Sequence, residues 1–64
     1  MTFKKGDKLK VIDTVVFDEA EILKRGTRGT VIEGEKDGFL VFVTDEGEEW
    51  CVEPNCVKLE ARDE

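Results

Sequence analysis

The sequence contains no histidine, serine or tyrosine, and it has a single tryptophan and a single proline. Without serine and histidine the chain cannot form a Ser–His triad, and it lacks the most common general base. A chain of 64 residues also seldom supplies the walls of a catalytic cleft. We therefore expect a protein that is not an enzyme and that uses no cofactor.

Cysteines and long apolar runs are also scarce. The two cysteines, Cys51 and Cys56, are too few for a disulfide framework, and without histidine they cannot complete a zinc site of about four ligands. We expect reduced thiols and no metal site. The sequence has neither an apolar run that could span a membrane nor a basic-then-apolar leader. This predicts a cytoplasmic protein with no membrane partner.

Positive charge is limited, because ten lysine and arginine residues stand against sixteen acidic ones and the net charge is −6. The acids concentrate at residues 18–21 and 45–49. Nucleic-acid affinity comes largely from cations that displace counterions. Direct nucleic-acid binding is therefore less favoured than binding to a basic protein partner, such as a nucleic-acid enzyme.

The most informative stretch is the apolar run at residues 39–43, Phe-Leu-Val-Phe-Val. Its aromatic, β-branched and leucine side chains are typical of a buried strand. Asp45-Glu-Gly47 follows and predicts a tight hairpin in which Gly47 takes a positive φ. Residues 48–52 then form the returning strand.

Three further strands are predicted, at residues 8–13, 27–33 and 56–59. The long first loop contains Asp18 as a candidate N-cap, Glu21 as its capping-box partner and Gly26 as a terminal glycine, which together predict a short helical turn. Pro54 ends the fourth strand because proline cannot donate to a ladder. Residues 60–64 have no large apolar side chain, so we expect one domain over residues 1–59 and a disordered tail.

Three stretches resemble small β-barrels. Phe3-Lys-Lys-Gly-Asp-Lys-Leu-Lys-Val11 and Gly26-Thr-Arg-Gly-Thr-Val-Ile32 are similar to the first two strands of KOW-type bacterial barrels, and Trp50-Cys-Val-Glu-Pro-Asn-Cys-Val-Lys-Leu59 is similar to the end of eukaryotic SH3 domains. The resemblance covers nearly the whole chain. It implies an all-β, five-stranded SH3-like barrel, compatible with a bacterial or phage accessory protein that inhibits a DNA-binding partner.

Recognition of proline-rich peptides is not expected from this resemblance. SH3 domains that bind such peptides line their groove with several tyrosines, and this chain has none. Cys56 stands where the last tyrosine of that groove would lie. The ligand is therefore expected to be something other than a proline-rich peptide.

The apolar run leaves two arrangements open, because only one face of a barrel strand points inward. If Phe39, Val41 and Val43 fill the interior, Leu40 and Phe42 are either covered by the long loop or exposed. The covering residues would be Phe17, Ile22 and Leu23. Exposure would instead create an apolar patch for a protein partner, or for a weak homodimer of an otherwise monomeric chain.

The two hypotheses for function use different residues. A protein-binding surface with an acidic rim would use Phe17, Leu40, Phe42, Trp50, Glu48 and Glu49. A KOW-type nucleic-acid or ribonucleoprotein module would use Lys4, Lys5, Lys8, Lys24, Arg25 and Arg28. The glycines at 26 and 29 fit a phosphate-cradling loop as well, although a glycine turn that enters the second strand is the simpler interpretation.

Overall fold

The structure, a computed structural model, describes residues 3–61, and over this range the chain is all-β, as predicted. Its elements are β1 (Lys8–Val11), β2 (Val15–Val16), β3 (Ile22–Leu23), β4 (Arg28–Lys36), β5 (Phe39–Thr44), β6 (Glu49–Val52), a 3₁₀ turn (Pro54–Cys56) and β7 (Val57–Ala61). The five predicted strands correspond to β1, β4, β5, β6 and β7. The two short strands β2 and β3 were not predicted.

The strands form two antiparallel sheets. One has five strands in the order β6-β5-β4-β1-β7, and the other is the β2–β3 hairpin. Within residues 3–61, β6 and β7 stand at the two edges of the larger sheet and no closed barrel is found. The fold prediction is thus confirmed as all-β, whereas closure of five strands into a barrel is not.

The predicted helical turn in the first loop is wrong, because this segment is the β2–β3 hairpin. The Asp18 carboxylate accepts hydrogen bonds from the backbone N–H groups of Ala20 and Glu21, each at 2.8 Å. An aspartate makes the same local bonds in a turn as at a helix N-terminus. A helix of two turns is marginal in isolation, whereas the hairpin pairs Leu23 with Val15 and buries Leu23 in the core.

The core lies on one face of the larger sheet, where cross-strand neighbours share a side. Val31 pairs with Phe42, and Leu40 pairs with Val52. The buried apolar residues are Phe3, Leu9, Val11, Leu23, Val31, Leu40, Phe42, Val52 and Val57. The packing around Phe42 is close: a Cβ at Gly29 would lie 2.6 Å from its Cδ2 atom and would also collide with the Val43 carbonyl oxygen, so this position requires glycine.

The predicted turns match the structure more closely than the predicted strand ends do. Gly47 has a φ of 91° in the β5–β6 turn, as predicted, and its N–H donates to the Thr44 carbonyl at 2.9 Å. The last strand continues beyond its predicted end, through Glu60 and Ala61, and Ala61 pairs with Lys8. The rest of the predicted tail, residues 62–64, lies outside the described residues.

Phe42 and Phe39 provide a matched test of which face of β5 is buried, because Phe42 is 0% exposed and Phe39 is 46% exposed. We expect Phe42→Ala to cost about 3–5 kcal/mol, which is comparable to the whole stability of a domain of this size. Phe39→Ala should cost less than about 1 kcal/mol. Urea denaturation followed by circular dichroism measures both, and equal losses would contradict the assignment.

Candidate functional site

Leu40 and Phe42 do not contribute to a surface. They are 1% and 0% exposed and belong to the core, so their assignment to an exposed patch is corrected. The arrangement with Phe39, Val41 and Val43 inside is reversed as well, because Phe39 is exposed and the two valines are half-buried. The five-residue run is apolar on both faces, so sequence alternation alone could not decide which face points inward.

Phe17 and Trp50 are brought together from distant parts of the chain. Phe17 follows β2, Trp50 lies on β6, and their ring centroids are 5.3 Å apart with an interplanar angle of 38°. This separation is within the range of favourable aromatic pairs. Phe17 is still 53% exposed. The contact therefore attaches the hairpin to the sheet and leaves one aromatic face open to solvent.

Three exposed apolar residues and the half-buried Trp50 form a surface here called the aromatic patch: Val16, Phe17, Ile22 and Trp50. Val16 pairs with Ile22 across the hairpin. Ile22 and Trp50 line the same groove between the hairpin and β6. Val16 and Ile22 are both exposed, although neither was predicted as a binding residue. Their alternation within β2 and β3 could not be recognised because the segment was taken for a helical turn.

Carboxylates lie beside the aromatic patch, and those of Asp18, Glu19, Glu21, Glu48 and Glu49 are here called the acidic rim. Glu21, Glu48 and Glu49 line the groove together with Ala20. Asp18 and Glu19 lie in the turn of the hairpin. The groove is lined by no lysine or arginine. The predicted candidates Trp50, Glu48 and Glu49 line this groove together.

The Trp50 indole has an unusual environment. Its Nε1 atom is buried and has no hydrogen-bond acceptor among residues 3–61. A buried donor without an acceptor costs about 1–3 kcal/mol. The indole ring packs against the core, and its N–H group is unsatisfied among these residues and closed to solvent.

The predicted basic residues divide into separate groups. Lys4 and Lys5 lie in the turn before β1, whereas Lys24 lies in the turn before β4, close to the other end of β1. Lys8 and Arg28 lie on β1 and β4, and Arg25 lines a groove between β1 and β7. Lys10 and Lys58 line this groove too. Sequence analysis missed them because the pairing of β1 with β7 is not visible in a local pattern.

The described residues include two cysteines and several carboxylates as possible metal ligands. No group of three or more metal-ligating side chains occurs among them. Both cysteines are free, and Cys51 is exposed. Partial burial, then the Glu53 and Asp13 carboxylates, raise the pKa of Cys56 above its ordinary value. Within the same residues, the structure has no helix long and apolar enough to cross a membrane.

The two thiols should differ in reactivity, because the thiolate is the nucleophile and the raised pKa of Cys56 lowers its thiolate fraction. We expect iodoacetamide at pH 8 to modify Cys51 several-fold faster than Cys56, as measured by peptide mapping with mass spectrometry. The urea-unfolded chain serves as the control, where the two rates should converge. Faster modification of Cys56 than of Cys51 in the folded protein would contradict a raised pKa at Cys56.

Comparison with known proteins adds no assignment to this geometry. The chain matches no family model, no curated protein and no solved structure. The features of the chain that bear on its function are the aromatic patch, the acidic rim and the distribution of basic residues.

Proposed function

We propose that this protein is a non-enzymatic binding module whose aromatic patch and acidic rim bind a basic segment of a protein partner. The observation that supports this most directly is the exposed Phe17 ring packed on Trp50, which itself lines a groove with three carboxylates and no cation. Aromatic side chains are the residues that most often dominate the energy of protein interfaces. The surface thus has an apolar centre and a rim of one charge.

The chemistry of the patch favours a segment that contains arginine or lysine. A guanidinium or ammonium group placed over an aromatic ring gains about 0.5–2 kcal/mol. The same cation would also lie within reach of the Glu48 and Glu49 carboxylates, which flank Trp50 in the groove. Each group on this surface therefore has a counterpart in a basic peptide.

We also propose that the larger sheet corresponds to an SH3-like barrel. The strand order β6-β5-β4-β1-β7, the hairpin between β1 and β4, and the 3₁₀ turn directly before β7 support this assignment. By analogy with small accessory barrels, the proposed role is that of a cytoplasmic bacterial or phage protein that covers the basic surface of a nucleic-acid enzyme. The analogy concerns the fold and adds no site residue.

The alternative, a KOW-type nucleic-acid module, has weaker support from the predicted residues. Lys4 and Lys5 lie at one end of β1 and Lys24 at the other, so the predicted cations do not form one continuous surface. The net charge of −6 also weakens the long-range attraction of a polyanion to the chain. The salt dependence of binding distinguishes the two functions. Affinity at an apolar interface falls far less with increasing salt than affinity for phosphate does.

Phe17 and Phe39 allow a direct test of the protein-binding surface. Both are large, exposed phenylalanines, but Phe39 lies outside the aromatic patch. We expect a partner captured from nuclease-treated lysate by the tagged protein to bind Phe17→Asp at least tenfold more weakly, because the aromatic centre is lost. Phe39→Asp should bind like wild type. Equal capture by all three proteins, each shown to be folded, would exclude the patch.

The acidic rim should act mainly on the rate of association. Neutralising two rim carboxylates, in Glu48→Gln/Glu49→Gln, should lower the association rate with that partner several-fold at low salt and much less at high salt. Glu33→Gln/Asp37→Asn is the control, because it changes the net charge equally in a different groove. Surface plasmon resonance measures both rates. An equal decrease in the two variants would indicate a general charge effect rather than a rim.

A further inference from the structure

A row of like charges crosses the outer face of the larger sheet, opposite to the core. Lys10 on β1 stands in register with Arg28 on β4 and with Lys58 on β7. Residues in register on antiparallel strands share a face and lie closest together. Lys58, Lys10 and Arg28 therefore form a continuous cationic row over three neighbouring strands. Two strand spacings give this row a length of about 10 Å.

The row is only partly neutralised within the protein. Arg28 donates to Glu60, with 2.9 Å between Nε and Oε1. No ion pair involves Lys10 or Lys58 among residues 3–61. Like charges directly opposite each other destabilise a sheet. Glu60 stands two residues from Lys58 on the same face of β7, but it pairs with Arg28, so the repulsion between Lys10 and Lys58 is only partly relieved.

A groove beside the row adds a fourth cation. Lys10 and Lys58 line it together with Arg25, Ile12 and Glu60. Arg25 comes from the turn after β3, and its backbone N–H donates to the Thr14 hydroxyl at 3.2 Å. The loop is thus fixed at the position from which Arg25 reaches the groove. Three cations and one carboxylate line the groove, and Arg28 already binds that carboxylate.

Two carboxylates of the acidic rim are too distant to cancel this charge. Glu48 and Glu49 lie beside β6, and β1 is three strands away along the sheet, or about 14 Å. The Debye length at physiological ionic strength is about 8 Å. The field of these two carboxylates is therefore largely screened at the row, and the net charge of the chain does not describe the local potential there.

We propose that this groove and its cationic row bind a linear chain of linked phosphate groups. A row of about 10 Å is long for a single phosphate and matches several phosphates in succession. Lys58, Lys10 and Arg25 contact the anion, and Arg28 extends the row beyond them. Free oligophosphate and the backbone of a single-stranded nucleic acid share this chemistry. The site is independent of the aromatic patch.

Thermal unfolding with sodium tripolyphosphate tests the site. We expect millimolar tripolyphosphate to raise the Tm of the wild type by about 5 °C, because ligand that binds the folded state stabilises it. Sodium chloride at equal ionic strength should raise it less. In Lys10→Gln/Lys58→Gln the shift should be lost, while the Tm without ligand stays equal or rises because the like charges are removed. Lys58→Gln alone, at an exposed position, should reduce the shift and serves as a second variant.

Lys4→Gln/Lys5→Gln provides the matched control, since it removes the same charge at the turn before β1. Its shift should equal that of the wild type. A labelled single-stranded oligonucleotide, measured by fluorescence anisotropy, distinguishes the source of the phosphates. Binding of either ligand that depends on Lys10 and Lys58 supports the site. Binding of neither, or an equal loss in both double variants, overturns it.

Discussion

The cross-strand row of Val31, Phe42 and Trp50 is the constraint on which the rest of the structure depends. It runs over β4, β5 and β6 on one face of the sheet. Phe42 is fully buried at its centre, and Gly29 has no side chain so that this ring can pack against the backbone. Trp50 ends the row at the edge of the core, where Phe17 packs against it. The same row therefore organises the interior and positions the proposed binding surface.

The distribution of charge gives the molecule two regions of opposite charge. Acidic side chains lie beside the aromatic patch near β6, whereas Lys10 and Lys58, which form no ion pair within residues 3–61, lie over β1 and β7. Because β6 and β7 are at opposite ends of the strand order, each region has its own local potential. A net charge of −6 describes the average of the two and says little about either. Binding of a basic protein segment and of a polyanion are thus compatible in one small domain.

Local patterns predicted the main strands and turns well, because they depend on neighbouring residues. The apolar run at β5 and the positive φ of Gly47 are of this kind. Patterns failed where a distant partner decides the outcome. Asp18 makes the hydrogen bonds of a helix N-terminus, but pairing of Leu23 with Val15 turns the segment into a hairpin. The contact of Phe17 with Trp50 and the register of Lys10 with Lys58 likewise arise from pairing that only the folded chain reveals.

The two edge strands also bear on how the protein avoids aggregation. An open sheet presents unpaired backbone groups at its edges, and these can pair with another chain. Here both edges are short, and each has charged side chains: Glu49 on β6, and Lys58 and Glu60 on β7. Charged side chains on an edge strand oppose such pairing. Lys58, which we assign to ligand binding, should therefore also hinder growth of the sheet through β7.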